Sequence, residues 1–141
     1  MLQSFFQHAN WLAIGVSAVA FFLLGSIWFS LLFGKIWQKE VEKHGVKIGM
    51  PKGGEMAAKM LQTFICNAVA ALSMGILVYI TGTTGAMSGT KLGLLCGVGF
   101  AATAIITANV WESRSFKLVA IDLGYPLFGI TICGLILSIW K

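Results

Sequence analysis

Residues 109–126, NVWESRSFKLVAIDLGYP, form a short charged turn between two long apolar runs. Glu112, Arg114 and Lys117 lie where one run ends and the next begins, whereas Asp122 lies inside the second run. If that run is helical, Asp122 is about 9 Å from its start, at roughly 1.5 Å per residue. An acid at the centre of a membrane helix costs roughly 2.5 to 3.5 kcal/mol, so this one requires a partner, a wet cavity or a function.

The composition of the chain is that of a protein folded in lipid. Of its 141 residues, 57% are hydrophobic and 11% are charged, whereas soluble domains average about 25% charged residues. A membrane helix takes up about 20 apolar residues, so a chain of this length accommodates one bundle. The sequence therefore predicts an all-α, polytopic four-transmembrane-helix bundle that is a single domain over 1–141, with spans at about 11–33, 60–81, 91–111 and 116–139.

The basic residues predict the orientation of the bundle. The net charge is +5, and six of the ten basic residues fall in the loop 34–59: Lys35, Lys39, Lys43, Lys47, Lys52 and Lys59. Because Lys and Arg are retained in cytoplasmic loops, we expect loops 34–59 and 112–116 in the cytoplasm and both termini outside. The Lys-rich loop is then expected to meet anionic lipid headgroups. No aromatic-interleaved basic surface accompanies the charge, which argues against nucleic acid as a partner.

Within this loop, KIWQKEVEKH (35–44) has helical spacing and is followed by Gly45, a residue typical of a helix end. We expect a solvated helix beyond the membrane, in which Glu40 and Lys43 form a weak i, i+3 pair.

Small residues on the third span predict a close contact between helices. Gly89, Gly93 and Gly97 follow one another at four-residue intervals, and such stripes let two helix backbones approach closely. The spacing does not say whether the partner helix belongs to the same chain or to another copy. A homo-oligomer, in the simplest case a dimer built on this stripe, is one expectation.

The ends of the first and third spans share a pattern. WFSLLF (28–33) matches WESRSF (111–116) at its Trp, Ser and Phe. Two hairpins in parallel repeat about an axis along the membrane normal, an arrangement known in transporters, would produce this match. Convergent use of Trp and Ser at a membrane exit would produce it as well, so both interpretations stay open.

Asp122 is the first candidate for a functional group. Tyr125 and Gly129 follow it at i+3 and i+7 on one face of the predicted fourth helix, and Pro126 is expected to kink that helix. Intramembrane acids often mark proton or cation paths. The structural alternative is an ion pair that fixes how the helices assemble, with one of three bases as partner: Arg114, Lys117 or Lys59.

Other polar residues allow two uses each. Asn67 and Asn109 complete the candidate intramembrane site, where they are suited either to a substrate or to amide bonds between helices. Glu112 and Arg114 are expected to meet across the tight turn between the third and fourth spans. Their charges then serve the turn itself or a ligand.

Catalytic and metal chemistry find little support in the sequence. No Ser/His/Asp set, paired catalytic carboxylates or phosphate-binding glycine loop has intelligible spacing, so we expect no enzyme activity and no cofactor. Cys66, Cys96 and Cys133 lie far apart within apolar runs, and His8 and His44 are isolated, so no metal site is expected.

Several motifs together resemble a known family: Asn10-Trp11, Gly25-x-x-Trp28-x-Ser30-x-x-Phe33-Gly34-Lys35-x-Trp37, Trp111-Glu112-x-Arg114-Ser115-x-Lys117-Leu118 and Ile121-Asp122-x-Gly124-Tyr125. The chain resembles the DUF1761 family of small bacterial membrane proteins, which have no assigned function. The resemblance implies a four-span protein of the bacterial inner membrane. The chain departs from the family pattern at Phe29 and Leu31, where a Tyr and a Pro are expected.

Two functional hypotheses follow. The first is a small-solute or ion/proton-coupled transport module that acts as an oligomer, based on Asp122 beside Pro126 and on the possible repeat. The alternative is a non-catalytic membrane scaffold or accessory subunit that binds other helices through small-residue stripes and anionic lipid through the Lys-rich loop.

Overall fold

The computed structural model describes residues 1–45 and 53–140. Its helices are α1 (Leu2–His8), α2 (Trp11–Ile27), α3 (Gly34–Lys43), α4 (Gly53–Thr81), α5 (Ala86–Cys96), α6 (Thr103–Trp111) and α7 (Phe116–Ile139). Two π-helical turns, Trp28–Leu32 and Gly97–Ala102, extend α2 and join α5 to α6. Four stretches are long and apolar enough to cross a membrane, and we call them the first to fourth spans: Trp11–Leu32, Gly53–Thr81, Ala86–Trp111 and Phe116–Ile139.

The predicted all-α, four-span architecture is confirmed, although two bounds differ. The second span begins at Gly53 rather than at 60, because polar turns around Glu55 extend α4 beyond its apolar part. The third span begins at Ala86 rather than at 91. The chain turns at Gly85, whose φ of +90° favours glycine, and the small residues after it are already helical. Two members of the predicted Lys-rich loop lie outside the described residues: Lys47 and Lys52.

The fourth span is the centre of the bundle. α7 packs against α2, α4 and α5. Most contacts of the third span with the other spans are with α7. α2 and α4 also pack on each other. The core between these helices is apolar and includes Ala13, Ile14, Ala18, Phe21, Ala71, Met74, Val78, Cys133 and Leu137.

The glycine stripe of the third span packs within the chain. A Cβ atom on Gly93 would come within 2.6 Å of the Thr131 Cα, and one on Gly97 within 2.7 Å of the Leu127 Cδ1. A Cβ atom on Gly89 would clash with the same helix, α7. The predicted close approach is therefore present, but the partner helix is in the same chain. The stripe is filled, so the interpretation of it as a dimer interface is wrong.

The two hairpins do not pack symmetrically. A twofold axis between them would make the contact of α2 with α7 equivalent to that of α4 with the third span. Instead, in the described residues, α2 packs extensively along α7 while α4 makes little contact with the third span. The matching tryptophans differ too, because the Trp28 indole donates to the Ile121 carbonyl oxygen at 3.0 Å while Trp111 is 86% exposed. The match of 28–33 with 111–116 is thus not accompanied by equivalent packing.

A break at Phe33 separates α3 from the first span. The π-helical turn ends at Leu32, and Phe33 after it has φ −124° and ψ 4°. Glycine follows at Gly34, where a Cβ atom would come within 2.6 Å of the Phe29 carbonyl oxygen. α3 then runs beside α7 and ends before Gly45, whose φ of +82° fits the helix end predicted there.

Candidate functional site

Asp122 lies near the start of the fourth span, where two side chains hold its carboxylate. The indole Nε1 of Trp37, on α3, donates to the Asp122 Oδ1 at 2.9 Å. The Nη1 of Arg114, in the turn before α7, lies 3.8 Å from the Asp122 Oδ2. The carboxylate is mostly buried, with its side chain 22% exposed. Of the three predicted partners Arg114 is the one that pairs, since within the described residues neither Lys59 nor Lys117 lies at ion-pair distance from Asp122.

Arg114 also closes the turn between the third and fourth spans. Its Nε lies 2.5 Å from the Glu112 Oε2, so these two charges meet across the turn as predicted. Ser113 between them has φ +53°, a left-handed conformation that makes the turn tight. Arg114 therefore links the acid of the turn to the acid of the span.

A second acid fixes α3 to the same turn. Glu40 is 5% exposed. Its Oε2 accepts a hydrogen bond from the Ser115 hydroxyl at 2.9 Å, and its Oε1 one from the Lys43 Nζ at 3.2 Å. These bonds, with that from Ser115 contributing most, lower the pKa of Glu40. The Ser115 backbone N–H donates to the His44 Nε2 at 3.2 Å. The expectation of a solvated helix is therefore wrong for this face of α3.

The sequence prediction did not include four residues of this contact: Trp37, Glu40, His44 and Ser115. A signal for three of them was present, because positions 37, 40 and 44 recur at three- and four-residue intervals and so lie on one helix face. That spacing indicates a packed face even when the residues on it are polar.

Tyr125 pairs with Asn67 and not with Asp122. The Tyr125 hydroxyl oxygen lies 2.9 Å from the Asn67 Nδ2 and 3.1 Å from its Oδ1, which joins α7 to α4. The ring of Phe29 contacts both Tyr125 and Trp37, with its centroid 5.5 Å from that of Tyr125 and 5.6 Å from that of Trp37. Asp122 and Tyr125 therefore belong to two different polar pairs, Asp122 with Trp37 and Tyr125 with Asn67.

Asn109 does not join either pair. Its Nδ2 donates to the Ile105 carbonyl oxygen of its own helix at 2.7 Å. Its Oδ1 is buried and has no hydrogen-bond partner in the described part of the chain. Gly129, the last residue of the predicted polar face, leaves no open space, because the Phe21 ring packs directly on that glycine. The polar stripe of the fourth helix therefore ends against a packed aromatic ring.

The turn before Pro126 receives a bond from another helix. Pro126 lies within α7, and it lacks the backbone N–H that would bond one turn back. The Trp28 Nε1 donates to the Ile121 carbonyl oxygen at 3.0 Å in this turn. Gly124 allows this approach, since a Cβ atom there would meet the Trp28 ring at 2.5 Å.

The site offers charge and hydrogen bonding at the surface of the bundle. In residues 1–45 and 53–140, no three or more His, Cys, Asp or Glu side chains come together in a way that could hold a metal ion. The thiols are free, with Cys66 exposed and Cys96 and Cys133 buried.

A comparison with protein families covers almost the whole chain. The model of a family described as a protein of unknown function, DUF1761, matches residues 12–138. The chain belongs to the DUF1761 family. The resemblance noted in the sequence is thereby confirmed, and every residue of the two polar pairs lies within the DUF1761 match. No curated protein and no solved structure matches the chain.

Proposed function

We propose that this DUF1761 protein is a non-catalytic membrane scaffold or accessory subunit that binds other helices and holds a basic helix against anionic lipid. The bond from Trp37 to Asp122 carries the proposal, because it gives the costly acid a structural use. A proton or cation path from Asp122 would need water beyond it. The rings of Phe29 and Phe21 instead pack against the ring of Tyr125, with centroids 5.5 and 5.1 Å from it.

The docked helix presents a basic face. Lys35, Lys39 and Lys43 are exposed and follow one another at four-residue intervals, while Trp37 and Glu40 face the bundle. A basic residue near an anionic leaflet contributes about 1 kcal/mol to membrane binding. Because lysine-rich loops are retained in the cytoplasm, we place α3 at the inner surface of a bacterial inner membrane and both termini outside.

The third span offers a surface to other helices. One face of it packs on α7, whereas Leu95, Val98 and Phe100 are 67%, 54% and 73% exposed. Gly99 beside them has no atom within 4 Å of a Cβ position, so the backbone is accessible. A homo-oligomer, with a dimer as the simplest form, would use this face, since the glycine stripe is occupied.

Flux through liposomes tests the proposal. We expect purified wild-type protein and Asp122→Asn to leave internal pH, followed with a trapped dye under a potassium gradient, as stable as in protein-free liposomes. Asp122→Asn should nevertheless speed trypsin cleavage within α3, because its docking bond is weakened. Glu55→Gln, which removes an acid from the exposed start of α4, serves as the control and should leave cleavage unchanged. A wild-type flux that Asp122→Asn abolishes would overturn the scaffold proposal.

The second candidate is a transport module acting as an oligomer. One observation favours it: Tyr125 lines a cleft of about 340 Å³ that also contains Lys59 and Thr63. The cleft gives the Tyr125–Asn67 pair a neighbouring space that a solute can enter. The same flux assay decides between the candidates, with Tyr125→Phe as the variant that should reduce transport if this cleft belongs to a pathway.

A further inference from the structure

A basic cleft lies between α3 and the start of α7. Its volume is about 450 Å³, and its lining combines three lysines with apolar side chains: Lys39, Lys43 and Lys117 with Phe33, Ala120 and Ile121. Lys39 and Lys43 come from the basic face of α3, and Lys117 comes from the first turn of α7. Two separate helices thus bring cations to one opening.

The charge of this cleft is positive. Glu40 also lines it, but both of its carboxylate oxygens are occupied, one by Lys43 and the other by Ser115. Lys43 is the partner of that acid. In the residues that the structure describes, neither Lys39 nor Lys117 lies within ion-pair distance of an acid. An anion at the opening would therefore meet two ammonium groups not engaged by an acid in the described chain.

A second cleft continues the first along the fourth span. It has a volume of about 290 Å³ and shares Phe33, Ala120 and Ile121 with the basic cleft. It then passes Leu123 and Leu127 to reach Phe128, and its lining contains no charged residue. From Ala120 to Phe128 the helix rises about 12 Å, at roughly 1.5 Å per residue. The pair of clefts is thus basic at the membrane surface and apolar within the span.

From this continuity we propose that the joined clefts bind one anionic phospholipid of the surrounding bilayer. Its phosphate lies beside Lys39 and Lys117, and one acyl chain follows the apolar cleft past Ala120. The two lysines favour an anionic over a zwitterionic headgroup. The apolar cleft accommodates an acyl chain, which a soluble anion does not have. The inference rests on the proposed function, because it identifies where and how the scaffold holds lipid.

Lipid retention measured by native mass spectrometry tests the site. Detergent-purified protein is titrated with phosphatidylglycerol or with phosphatidylcholine of the same acyl chains. Lys39→Gln with Lys117→Gln removes the headgroup contacts, and Lys59→Gln with Lys91→Gln removes the same charge from exposed positions that line neither cleft. Ala120→Phe fills the neck between the clefts, and Ala104→Phe, at an exposed position of the third span, is its control.

We expect wild type to retain phosphatidylglycerol more tightly than phosphatidylcholine. The double variant Lys39→Gln with Lys117→Gln should weaken phosphatidylglycerol binding by about 25-fold, or about fivefold per lysine. Ala120→Phe should weaken it by about tenfold or more. Both controls should stay within about twofold of wild type. Helical circular dichroism verifies folding, and Ala120→Leu replaces Ala120→Phe if the larger ring alters that signal.

Three results would overturn the site. Equal effects of the two lysine pairs on phosphatidylglycerol binding would mean general electrostatic attraction. Unchanged binding in a folded Ala120 variant would mean that the acyl chain does not occupy the apolar cleft. Displacement of the lipid by inorganic phosphate would point to a soluble anion as the ligand. Each of them leaves the flux prediction untouched, so the lipid site and the scaffold function fail separately.

Discussion

Replacing Trp37 by Phe removes one hydrogen-bond donor and keeps an aromatic ring beside Phe29. The Asp122 carboxylate then loses its 2.9 Å bond and retains Arg114 at 3.8 Å. Net contributions of hydrogen bonds to charged groups are about 1.5 to 3 kcal/mol, whereas bonds between membrane helices average about 0.6 and reach about 1.7 kcal/mol. The acceptor is a carboxylate but is partly exposed, so we expect about 1.5 kcal/mol for this bond.

A double-mutant cycle measures that value. The free energy of unfolding is obtained by SDS titration in mixed micelles for wild type, Trp37→Phe, Asp122→Ala and the double variant. The coupling between the two changes isolates the bond from the packing that each change disturbs. Trp11→Phe is the matched control, since Trp11 is 53% exposed and lies at the opposite end of the first span. Combined with Asp122→Ala, it should be additive to within about 0.5 kcal/mol.

A coupling energy between Trp37 and Asp122 no larger than that of the control would refute the prediction that the indole stabilises the carboxylate. In that case the indole does not stabilise the carboxylate, and the acid is left without its main structural use. The contact at Asp122 would then no longer favour a scaffold over a transporter. A coupling near the expected value, together with undisturbed helical content, would establish Asp122 as the docking point of α3.

Three further predictions concern α3, the glycine stripe and the orientation. The hydrogen bonds of Glu40 lower its pKa, so its contribution to α3 docking is complete above the ordinary value of 4.5 and is lost as the pH falls through the lowered pKa. Amide hydrogen exchange in α3 should therefore rise over that pH range in the wild-type protein, and Glu40→Gln should abolish this rise. Gly93→Leu should cost at least about 2 kcal/mol of unfolding free energy because α7 leaves no room, whereas Gly15→Leu, at an exposed position of α2 with nothing within 4 Å, should change it by less than about 0.5 kcal/mol. In a cysteine-free background in intact cells, an impermeant maleimide should label Thr84→Cys and spare Lys43→Cys, and the opposite pattern would reverse the orientation.

The spans were predictable because lipid imposes length and apolarity on any helix that crosses it. The predicted starts of the second and third spans were less accurate. The helical turns that begin at Gly53 and Ala86 consist of residues that are too polar or too small to resemble a membrane segment. The glycine spacing on the third span predicted a close approach correctly. Spacing alone carries no information on which helix fills the stripe, and only the fold shows that α7 does.

The candidate site was predictable in part for a similar reason. Arg114 is near Asp122 in sequence, so a pairing across a short turn could be foreseen. Trp37 is 85 residues away from Asp122 in the chain, and its approach depends on a break in the backbone at Phe33. Tyr125 and Asn67, 58 residues apart, were both recognised as polar groups inside the membrane. Their pairing follows from the packing of α4 on α7, which no local pattern encodes.

The break at Phe33 accounts for both the Trp37–Asp122 bond and the basic cleft at the membrane-surface end of the bundle. Had the first span continued as an unbroken helix, α3 would extend its axis into the solvent and carry Trp37 away from α7. Gly34, the residue that fits against the Phe29 carbonyl oxygen, instead lets α3 run along the start of α7. The same break brings Trp37 to Asp122 and Lys39 to the cleft that contains Lys117. An acid that would be expensive deeper in the span is therefore tolerated near its end because it fixes the helix that carries the basic face, and the basic cleft forms as a consequence of that docking.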